Sequence, residues 1–225
     1  ADPDIAFAID LDVVLVGHQR HYVQALYHLT KPLAPTRPVI GNDGWESVAT
    51  DIIGIHDYDD KPERLSRRYG TDEAPMVLFK RERPGGRMLT LAEQQHAGLP
   101  LMLTEFGGIA YSKGEKETTW GYTRCETAED LANQYAALLT TVRSLPMLAG
   151  FCYTQFADTY QEANGLLFAD RTPKFPLKEM ALATRGPRNR VEQHMEALWR
   201  ERLMDYNRSA YQEPLREHQT RAENR

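Results

Sequence analysis

The sequence has few cysteines and no excess of basic residues. Among 225 residues there are 2 cysteines, Cys125 and Cys152, whose spacing fits neither a metal site nor a disulfide framework. Lys and Arg number 27 against 32 Asp and Glu, which gives a formal net charge of −5. A nucleic-acid-binding domain would carry a clustered basic face, so this class of protein is not favoured. Reduced thiols fit a cytoplasmic protein.

Long apolar runs are also missing. No run approaches the roughly 20 residues needed to span a bilayer, and the longest, Ile5 to Val16, is interrupted by Asp10 and Asp12. The run also lacks the basic segment that precedes the apolar core of a signal peptide. We therefore expect no membrane association and a cytoplasmic location. An export signal could have been removed, since the chain does not begin with Met.

The most informative residue is Glu105, which ends an apolar segment of strand length. Leu101 to Glu105 is followed closely by Gly107 and Gly108. In a parallel α/β barrel, catalytic groups lie at the C-terminal ends of strands because the loops converge there. A lone carboxylate in this position suggests a nucleophile or a general acid/base. The alternative interpretation is a polar residue that simply enters a loop.

Four short apolar segments, each followed by a polar or glycine-containing loop, indicate buried strands of a parallel sheet. They are Arg37–Asp43, Asp51–Tyr58, Leu101–Glu105 and Leu148–Gln155. Between the last two, Thr127 and Asp130 are spaced as in a capping box, and apolar residues at helical spacing continue towards Pro146. An earlier helix is predicted from about Gln19 to Thr30. This alternation of strands and helices predicts a parallel barrel or a doubly wound sheet.

Two further segments have a less regular pattern. Residues 59–97 contain a charged stretch, Lys61 to Arg68, that could be a helix. Such a long segment could shape a substrate pocket or could be a tolerated surface insertion. Beyond residue 187, a stripe of apolar residues at helical spacing predicts one amphipathic helix that packs on the body or on a partner. The stripe consists of Val191, Met195, Leu198, Trp199 and Leu203.

Five motifs follow one another in order on or beside the predicted strand ends. They are PTRPVIGNDGWE at 35–46, DIIGIHDY at 51–58, LTEFGG at 103–108, GFCYTQ at 150–155 and QEANGL at 161–166. Together they resemble the C-terminal half of the catalytic barrel of glycoside hydrolase family 2, the β-galactosidase and β-glucuronidase family. The resemblance runs from about His18 to Lys174. It implies a partial (β/α)8 TIM barrel that contains about strands five to eight.

The resemblance also implies the chemistry of a retaining β-glycosidase. Glu105 falls on the position of the catalytic nucleophile, which attacks the anomeric carbon to give a glycosyl-enzyme that water hydrolyses with net retention. The nucleophile must stay ionised, so hydrogen-bond donors are expected beside it. His56 and Tyr58, at the end of the preceding strand, are the candidate donors. The alternative for these two is a buried polar pair bound by loop backbone.

Other residues near strand ends are candidates for binding a carbohydrate substrate. Aromatic rings offer a flat surface to the apolar C–H faces of a sugar, and polar side chains can bond its hydroxyls. The aromatic candidates are Trp45, Trp120 and Tyr153. The polar candidates are Asn42, Asp43, Gln155, Asp158, Gln161 and Asn164, each of which could equally stabilise a loop. The mechanism needs no cofactor, and no metal-ligand cluster is legible.

A second carboxylate is missing from the matched region. A retaining glycosidase needs an acid/base roughly 5–5.5 Å from the nucleophile. The family's Asn-Glu pair for this role has no counterpart before Gln19. Asp10 or Asp12 could replace it if Ile5 to Val16 is a strand, in which residues two apart share a face.

The first barrel strands and the family's β-sandwich domains are absent too. We therefore expect an unmatched segment at residues 1–17, a partial barrel at 18–186 and a helical tail at 187–225. Half a barrel would need cover from a missing N-terminal half or another partner, from a second copy of the chain, or from its own N-terminal segment and C-terminal helix.

The expected function is that of a glycosidase catalytic-domain fragment that hydrolyses O-glycosyl bonds in carbohydrate metabolism. The alternative is a non-catalytic half-barrel that binds carbohydrate or a partner subunit, with Glu105 as a relic. A nucleotide-binding enzyme is not favoured, because no Gly-rich phosphate loop follows any of the strands.

Overall fold

A computed structural model describes residues 3–71, 73, 75–91, 96, 98–113, 119–187, 195, 198–202 and 204, without the side chains of residues 3–16 and 76. The chain divides into two compact units, residues 1–184 and 185–225. In the second unit, the described residues beyond 187 have helical backbone, as the apolar stripe predicts. Its exposed apolar residues are Met195, Leu198, Trp199 and Met204. The stripe's Val191 and Leu203, and the segment after Pro214, lie outside the described residues.

The first unit is built from five helices and five strands among the described residues. The helices are α1 (Pro3–Leu33), α2 (Pro62–Tyr69), α3 (Pro75–Arg81), α4 (Ala128–Arg143) and α5 (Leu177–Arg185), with a short 3₁₀ turn at Pro84–Gly86. The strands are β1 (Ile53–Asp57), β2 (Leu101–Gly107), β3 (Ile109–Ala110), β4 (Thr123–Arg124) and β5 (Leu148–Thr154).

A parallel three-stranded sheet with the order β1–β2–β5 forms the centre of this unit. Three of the four predicted strands are therefore confirmed, and β2 lies in the middle. The register shifts by one residue after Ile55, so that His56 lies opposite Glu105. All three carboxyl ends meet at one edge, because the strands are parallel. The ends of β1 and β5 thus flank the end of β2.

The fourth predicted strand, at Arg37–Asp43, is wrong, since none of its residues forms a strand. Only Val39 and Ile40 lie between Pro38, which has no N–H to donate, and Gly41. Asp51 holds this segment instead. Its carboxylate accepts a 2.8 Å bond from the Val39 N–H, and its own N–H donates to the Val39 carbonyl, also at 2.8 Å.

The strand suggested for Ile5 to Val16 is also wrong, because this segment belongs to α1. The helix predicted from about Gln19 to Thr30 is present and is longer than predicted, so it continues through the expected boundary at residue 17. A run that is almost wholly apolar does not distinguish strand from helix by periodicity, and its length favours a helix. The two-residue period that grouped Asp10 with Asp12 belongs to strands and does not apply.

Helix α4 begins as the sequence predicts. The Thr127 hydroxyl accepts a 3.0 Å bond from the Asp130 N–H, and the Asp130 carboxylate accepts a 3.1 Å bond from the Thr127 N–H. This reciprocal capping box satisfies two N–H groups that have no partner within the helix. The apolar face of α4 is buried against the core. Its residues are Leu131, Tyr135, Leu138, Leu139 and Val142.

The hydrophobic core joins the sheet to the helices. It contains Ile53 and Ile55 of β1, Leu103 of β2, and the α2 residues Leu65 and Tyr69, all fully buried. A second, two-stranded parallel sheet, β3–β4, follows the end of β2. The fold is therefore α/β with small, open parallel sheets, and the described strands do not close into a barrel. Among the described residues, no helix is long and apolar enough to cross a membrane.

Candidate functional site

Glu105 lies near the carboxyl end of the central strand, and its side chain is 40% exposed. The pairing of β2 with both neighbours is irregular around this residue, because the register shifts before His56 on one side and before Phe106 on the other. The carboxylate lies where the carboxyl ends of the three strands meet, and its exposure makes it accessible to a ligand.

Two side chains from the end of β1 contact Glu105, as the sequence predicts. The Tyr58 hydroxyl donates a short hydrogen bond to Glu105 Oε2, and His56 Nδ1 lies 3.3 Å from the same oxygen. The Tyr58 hydroxyl also lies 3.4 Å from Thr154 Oγ1, at the end of β5. Burial, followed by the bond to Glu105, raises the pKa of Tyr58 well above its ordinary value. Tyr58 therefore stays protonated at neutral pH and remains a donor.

A second carboxylate, Asp43, approaches the opposite side of His56. His56 Nε2 lies 3.3 Å from Asp43 Oδ2 without hydrogen-bond geometry, and Thr104 donates a 2.5 Å bond to Asp43 Oδ1. The imidazole thus separates the two carboxylates. Gly44 permits this arrangement, because its φ of +89° suits glycine and a Cβ there would lie 2.4 Å from His56 Cγ.

Aromatic rings border the site on two sides. The Trp45 ring packs edge-on against His56 with 4.9 Å between centroids, and the Arg87 guanidinium lies 5.2 Å from the Trp45 ring. On the other side, Tyr122 stacks face to face on Tyr58 with centroids 3.4 Å apart. The predicted residue Trp120 touches Tyr122 edge-on at 5.7 Å and is exposed, so it reaches the site only through Tyr122.

These rings line a cleft of about 490 Å³, and Tyr58 and His56, which contact Glu105, form part of its lining. Trp45, Tyr58 and Tyr122 supply apolar surface, and the segment predicted to be least regular supplies the charged wall. That wall contains Asp59, Asp60, Arg64 and Arg83. The described residues at 59–64 and 83–85 therefore line a pocket.

The sequence did not point to Tyr122, Thr104, Asp59, Asp60 or Arg64 as site residues. The acidic residues directly follow the DIIGIHDY motif, and their position after a strand end was a signal that could have identified them. Tyr122 carried no such signal, because it precedes a strand of only two residues. Its contact with Tyr58 depends on how two distant loops meet.

Tyr153 is not brought to Glu105, although it was predicted as a sugar platform. Its ring packs in the core, with centroids 4.8 Å from Tyr135 and 5.6 Å from Phe106. Its hydroxyl accepts a long 3.4 Å bond from the Ile109 N–H. Burial raises the pKa of Tyr153 above its ordinary value. These contacts give the ring a packing role on the helix side of the sheet.

The polar residues predicted near the end of β5 form loop contacts. Asp158 accepts 2.8 and 2.9 Å bonds from the buried Lys174 ammonium and the Gly165 N–H. Lys174 also donates to the carbonyls of Tyr111 and Ala163. Burial lowers the pKa of Lys174, although the bond to Asp158 opposes this. Asp158 is therefore part of a structural network.

The remaining predicted residues also have backbone partners or are buried. The Asn42 amide donates a 2.7 Å bond to the Trp45 carbonyl, which fixes the loop beside the site. The Gln161 carbonyl accepts a 2.8 Å bond from the Trp120 N–H. Asn164 is fully buried, and its backbone carbonyl accepts a 3.1 Å bond from the backbone N–H of Gln155. The structure groups none of these four side chains with Glu105.

The arrangement supplies an accessible carboxylate, Glu105, whose Oε2 accepts a hydrogen bond from Tyr58 and lies 3.3 Å from His56 Nδ1, and a second exposed carboxylate, Asp43, beyond His56. Within the described part of the chain, no group of three or more His, Cys, Asp and Glu side chains could hold a metal ion. The side chains of Asp10 and Asp12, considered as a replacement acid, lie outside the described residues. Chemically, the site suits nucleophilic attack by Glu105 on an electrophilic carbon.

Two solved glycosidase structures resemble this fold. A GH2 β-galacturonidase from Eisenbergiella tayi, bound to glycerol, aligns with a TM-score of 0.51 and 16% identity over 76% of this chain and 31% of that chain. An exo-β-agarase aligns with a TM-score of 0.51 and 14% identity, covering 78% of this chain and 23% of that chain. No protein-family model and no curated protein matches the sequence.

These similarities establish a glycosidase-like fold and nothing finer, because the identities are low. The chain spans about a third or less of the length of either structure. Membership of family 2, predicted from five short motifs, agrees with the E. tayi neighbour at the level of the fold.

Proposed function

We propose that this chain is the nucleophile-bearing part of a retaining β-glycosidase of the family 2 type, built on a partial (β/α)8 barrel. The observation that carries the proposal is Glu105 itself. It lies at the exposed end of the central parallel strand, and Tyr58 and His56 contact only one of its two oxygens. No Lys or Arg of the described residues pairs with it. Such a carboxylate is held in place by the Tyr58 hydroxyl and the neighbouring imidazole while its charge remains available for attack.

The reaction follows from this geometry in two steps. Glu105 Oε1 attacks the anomeric carbon of a β-linked sugar while the bond from that carbon to the leaving oxygen breaks. The Tyr58 hydroxyl, on Oε2, fixes the orientation of the carboxylate. Water then attacks the glycosyl ester at the same carbon and gives one proton to the acid/base, which by then is deprotonated. The bond from this carbon to Glu105 breaks, so the sugar leaves with net retention and the carboxylate returns.

The leaving oxygen must gain a proton in the first step, and the described residues supply no evident donor. Asp43 is the nearest candidate carboxylate among the described residues, and His56 stands between it and Glu105. We infer that the acid/base comes from a missing N-terminal half of the enzyme. Aryl glycosides with good leaving groups need little protonation, so Glu105 alone should react with them.

Covalent trapping tests the proposal directly. The folded chain is incubated with 2-deoxy-2-fluoro glycosides that carry a good leaving group, in galactosyl, glucosyl, glucuronyl and mannosyl forms. The fluorine slows breakdown of the glycosyl-enzyme, and intact-mass spectrometry with peptide mapping locates the adduct. We expect one adduct, on Glu105, in the wild type and in Glu129→Gln, a control in the first turn of α4. Glu105→Gln should remain unlabelled.

The outcome that contradicts the proposal is no adduct with any of the four reagents on folded protein. The missing acid/base favours one second candidate, a non-catalytic half-barrel that binds carbohydrate or a partner subunit. Its signature would be saturable sugar binding, measured by calorimetry, that is retained in Glu105→Gln and accompanied by no labelling. The sugar that labels, or binds, would identify the substrate class.

A further inference from the structure

We propose that Tyr122 is a positioning residue that holds the Tyr58 hydroxyl against Glu105. The inference rests on the proposed role of Glu105 and extends it to a residue that makes no hydrogen bond to the carboxylate. Tyr122 does not touch the reacting atoms. It acts through the ring of Tyr58, which it covers on one face.

The two tyrosine rings are nearly parallel, with an angle of 7° and 3.4 Å between centroids. Tyr58 follows the last residue of β1 in a segment without regular structure, so the backbone alone does not fix its ring. The hydroxyl has two nearby oxygens, Glu105 Oε2 and the more distant Thr154 Oγ1 at 3.4 Å. A ring free to tilt could exchange one for the other, and the stack prevents that movement.

Tyr122 is itself anchored independently of Tyr58. Its N–H donates a 2.9 Å bond to the Gly108 carbonyl, and the adjacent Thr123 begins β4, which pairs with β3. The Trp120 ring supports Tyr122 edge-on, at 71° and 5.7 Å. The position of Tyr122 is thus fixed by the backbone of Gly108 and β3, which directly follow β2.

Gly108 lies directly against the rings of both Tyr58 and Tyr122. Its φ is +60°, and a Cβ at this position would lie 2.5 Å from Tyr122 Cδ2 and 3.0 Å from Tyr58 Cδ1. Both rings therefore rest against the α-carbon of a residue three positions after Glu105. The segment from Glu105 to Gly108 therefore positions the proposed nucleophile. It also positions the rings of Tyr58 and Tyr122, which direct the Tyr58 hydroxyl towards Glu105.

This arrangement matters most when negative charge returns to Glu105. As the glycosyl ester breaks in the second step, charge develops on the carboxylate, and a hydrogen-bond donor already in place stabilises it without reorganisation. A small misplacement of such a group can cost about 100-fold in rate. We expect removal of the Tyr122 ring to slow both formation and breakdown of the glycosyl-enzyme by about 10-fold to 100-fold.

A double-mutant cycle distinguishes positioning from general destabilisation. The rates of labelling and of adduct release are measured for Tyr122→Ala, Tyr58→Phe and the double variant. Because Tyr122 acts through the Tyr58 hydroxyl, Tyr122→Ala should lower both rates in the wild-type background but not in a Tyr58→Phe background.

Tyr122→Phe keeps the ring and should stay close to the wild-type rates. Tyr22→Ala, which removes an exposed tyrosine of α1, serves as the control. Wild-type rates in Tyr122→Ala, or equal slowing in both backgrounds, would overturn the proposal.

A second measurement does not depend on labelling, so it separates failure of this inference from failure of the proposed function. Tyrosine labelled with ¹³C at the ring Cζ reports hydrogen bonding of each phenol by NMR at neutral pH, and loss of one signal in Tyr58→Phe assigns Tyr58. In Tyr122→Ala, the Tyr58 signal should move towards the position it takes in Glu105→Gln, and in Tyr122→Phe it should stay. An unmoved signal in Tyr122→Ala would refute the positioning role even if Glu105 is the nucleophile. A moved signal would support it even if no sugar adduct forms.

Discussion

Two carboxylates lie at the ends of adjacent strands and have opposite surroundings. Asp57, the last residue of β1, is 4% exposed and is bound by the Arg68 guanidinium and by the Tyr69 hydroxyl, the latter at 2.7 Å. Glu105, near the end of β2, is 40% exposed and has contacts from Tyr58 and His56. One carboxylate is neutralised by a partly buried cation, and the other is held by a phenol and an imidazole.

The difference separates a structural carboxylate from the one that we propose as the nucleophile. A carboxylate removed from water is stable only when a cation and hydrogen bonds replace its hydration, and Asp57 has both. Burial acts to lower the pKa of Arg68, but the charge of Asp57, the neighbouring Tyr69 and the hydrogen bonds to Asp57 and Glu82 together outweigh it, and the pKa is raised. Glu105 keeps contact with water and needs no cation. Its charge therefore remains available to an incoming electrophile.

Replacing Asp57 should break this comparison most strongly, because it removes the charge of a buried carboxylate and leaves the partly buried Arg68 with only Glu82 and Asp59 as ion-pair partners among the described residues. We expect Asp57→Asn to lower the free energy of unfolding by about 3 kcal/mol. The matched change Glu105→Gln should alter it by less than about 0.5 kcal/mol, because an exposed carboxylate loses little on neutralisation. Urea denaturation at neutral pH measures both. Equal losses in the two variants would mean that the two carboxylates do not differ in role.

Gly44→Ala tests whether His56 must stand between Asp43 and Glu105. The added Cβ would collide with the imidazole, and alanine is strained at a φ of +89°. We expect a loss of about 2 kcal/mol in stability and about 10-fold slower labelling of Glu105. Gly98→Ala is the control, because Gly98 has a φ of +79° and no atom within 4 Å of an added Cβ. Labelling slowed equally in both variants would assign the effect to backbone strain alone.

Asp51 is a third carboxylate for the comparison, and the exposure of its side chain lies between those of Asp57 and Glu105. It accepts a 2.8 Å bond from Lys31 and a 2.6 Å bond from Tyr27. These bonds, together with one from the Val39 N–H, lower its pKa from 3.8 to about 2. Because the folded-state pKa is depressed, the stabilisation exists above pH 3.8 and disappears as the pH falls towards about 2.

We therefore expect Asp51→Asn to be less stable than the wild type at pH 7, by less than about 1 kcal/mol. The difference should shrink as the pH falls from about 4 to about 2. Urea denaturation of both proteins at several pH values measures it. A difference that persists unchanged at the lowest pH would show that charge is not its source.

The sequence predicted those features that depend on local pattern and on strand ends. The capping box of α4 was legible from Thr127 and Asp130, and the pairing of His56 and Tyr58 with Glu105 followed from parallel strands that end at one edge. The packing of Tyr153 against Tyr135 and Phe106 could not be predicted, because an almost wholly apolar strand shows no alternation and its two faces look alike in sequence. Tyr122 was missed because its stack on Tyr58 joins loops that are far apart along the chain.

The central place of β2 has a consequence for the synthesis of this protein. The strand that carries Glu105 hydrogen-bonds to β1 on one side and to β5 on the other, and β5 ends at Thr154. A nascent chain therefore holds one unpaired edge of β2 until Thr154 has left the ribosome. Unpaired strand edges promote aggregation, so translation through residues 107–154 is the interval in which chaperone protection matters most.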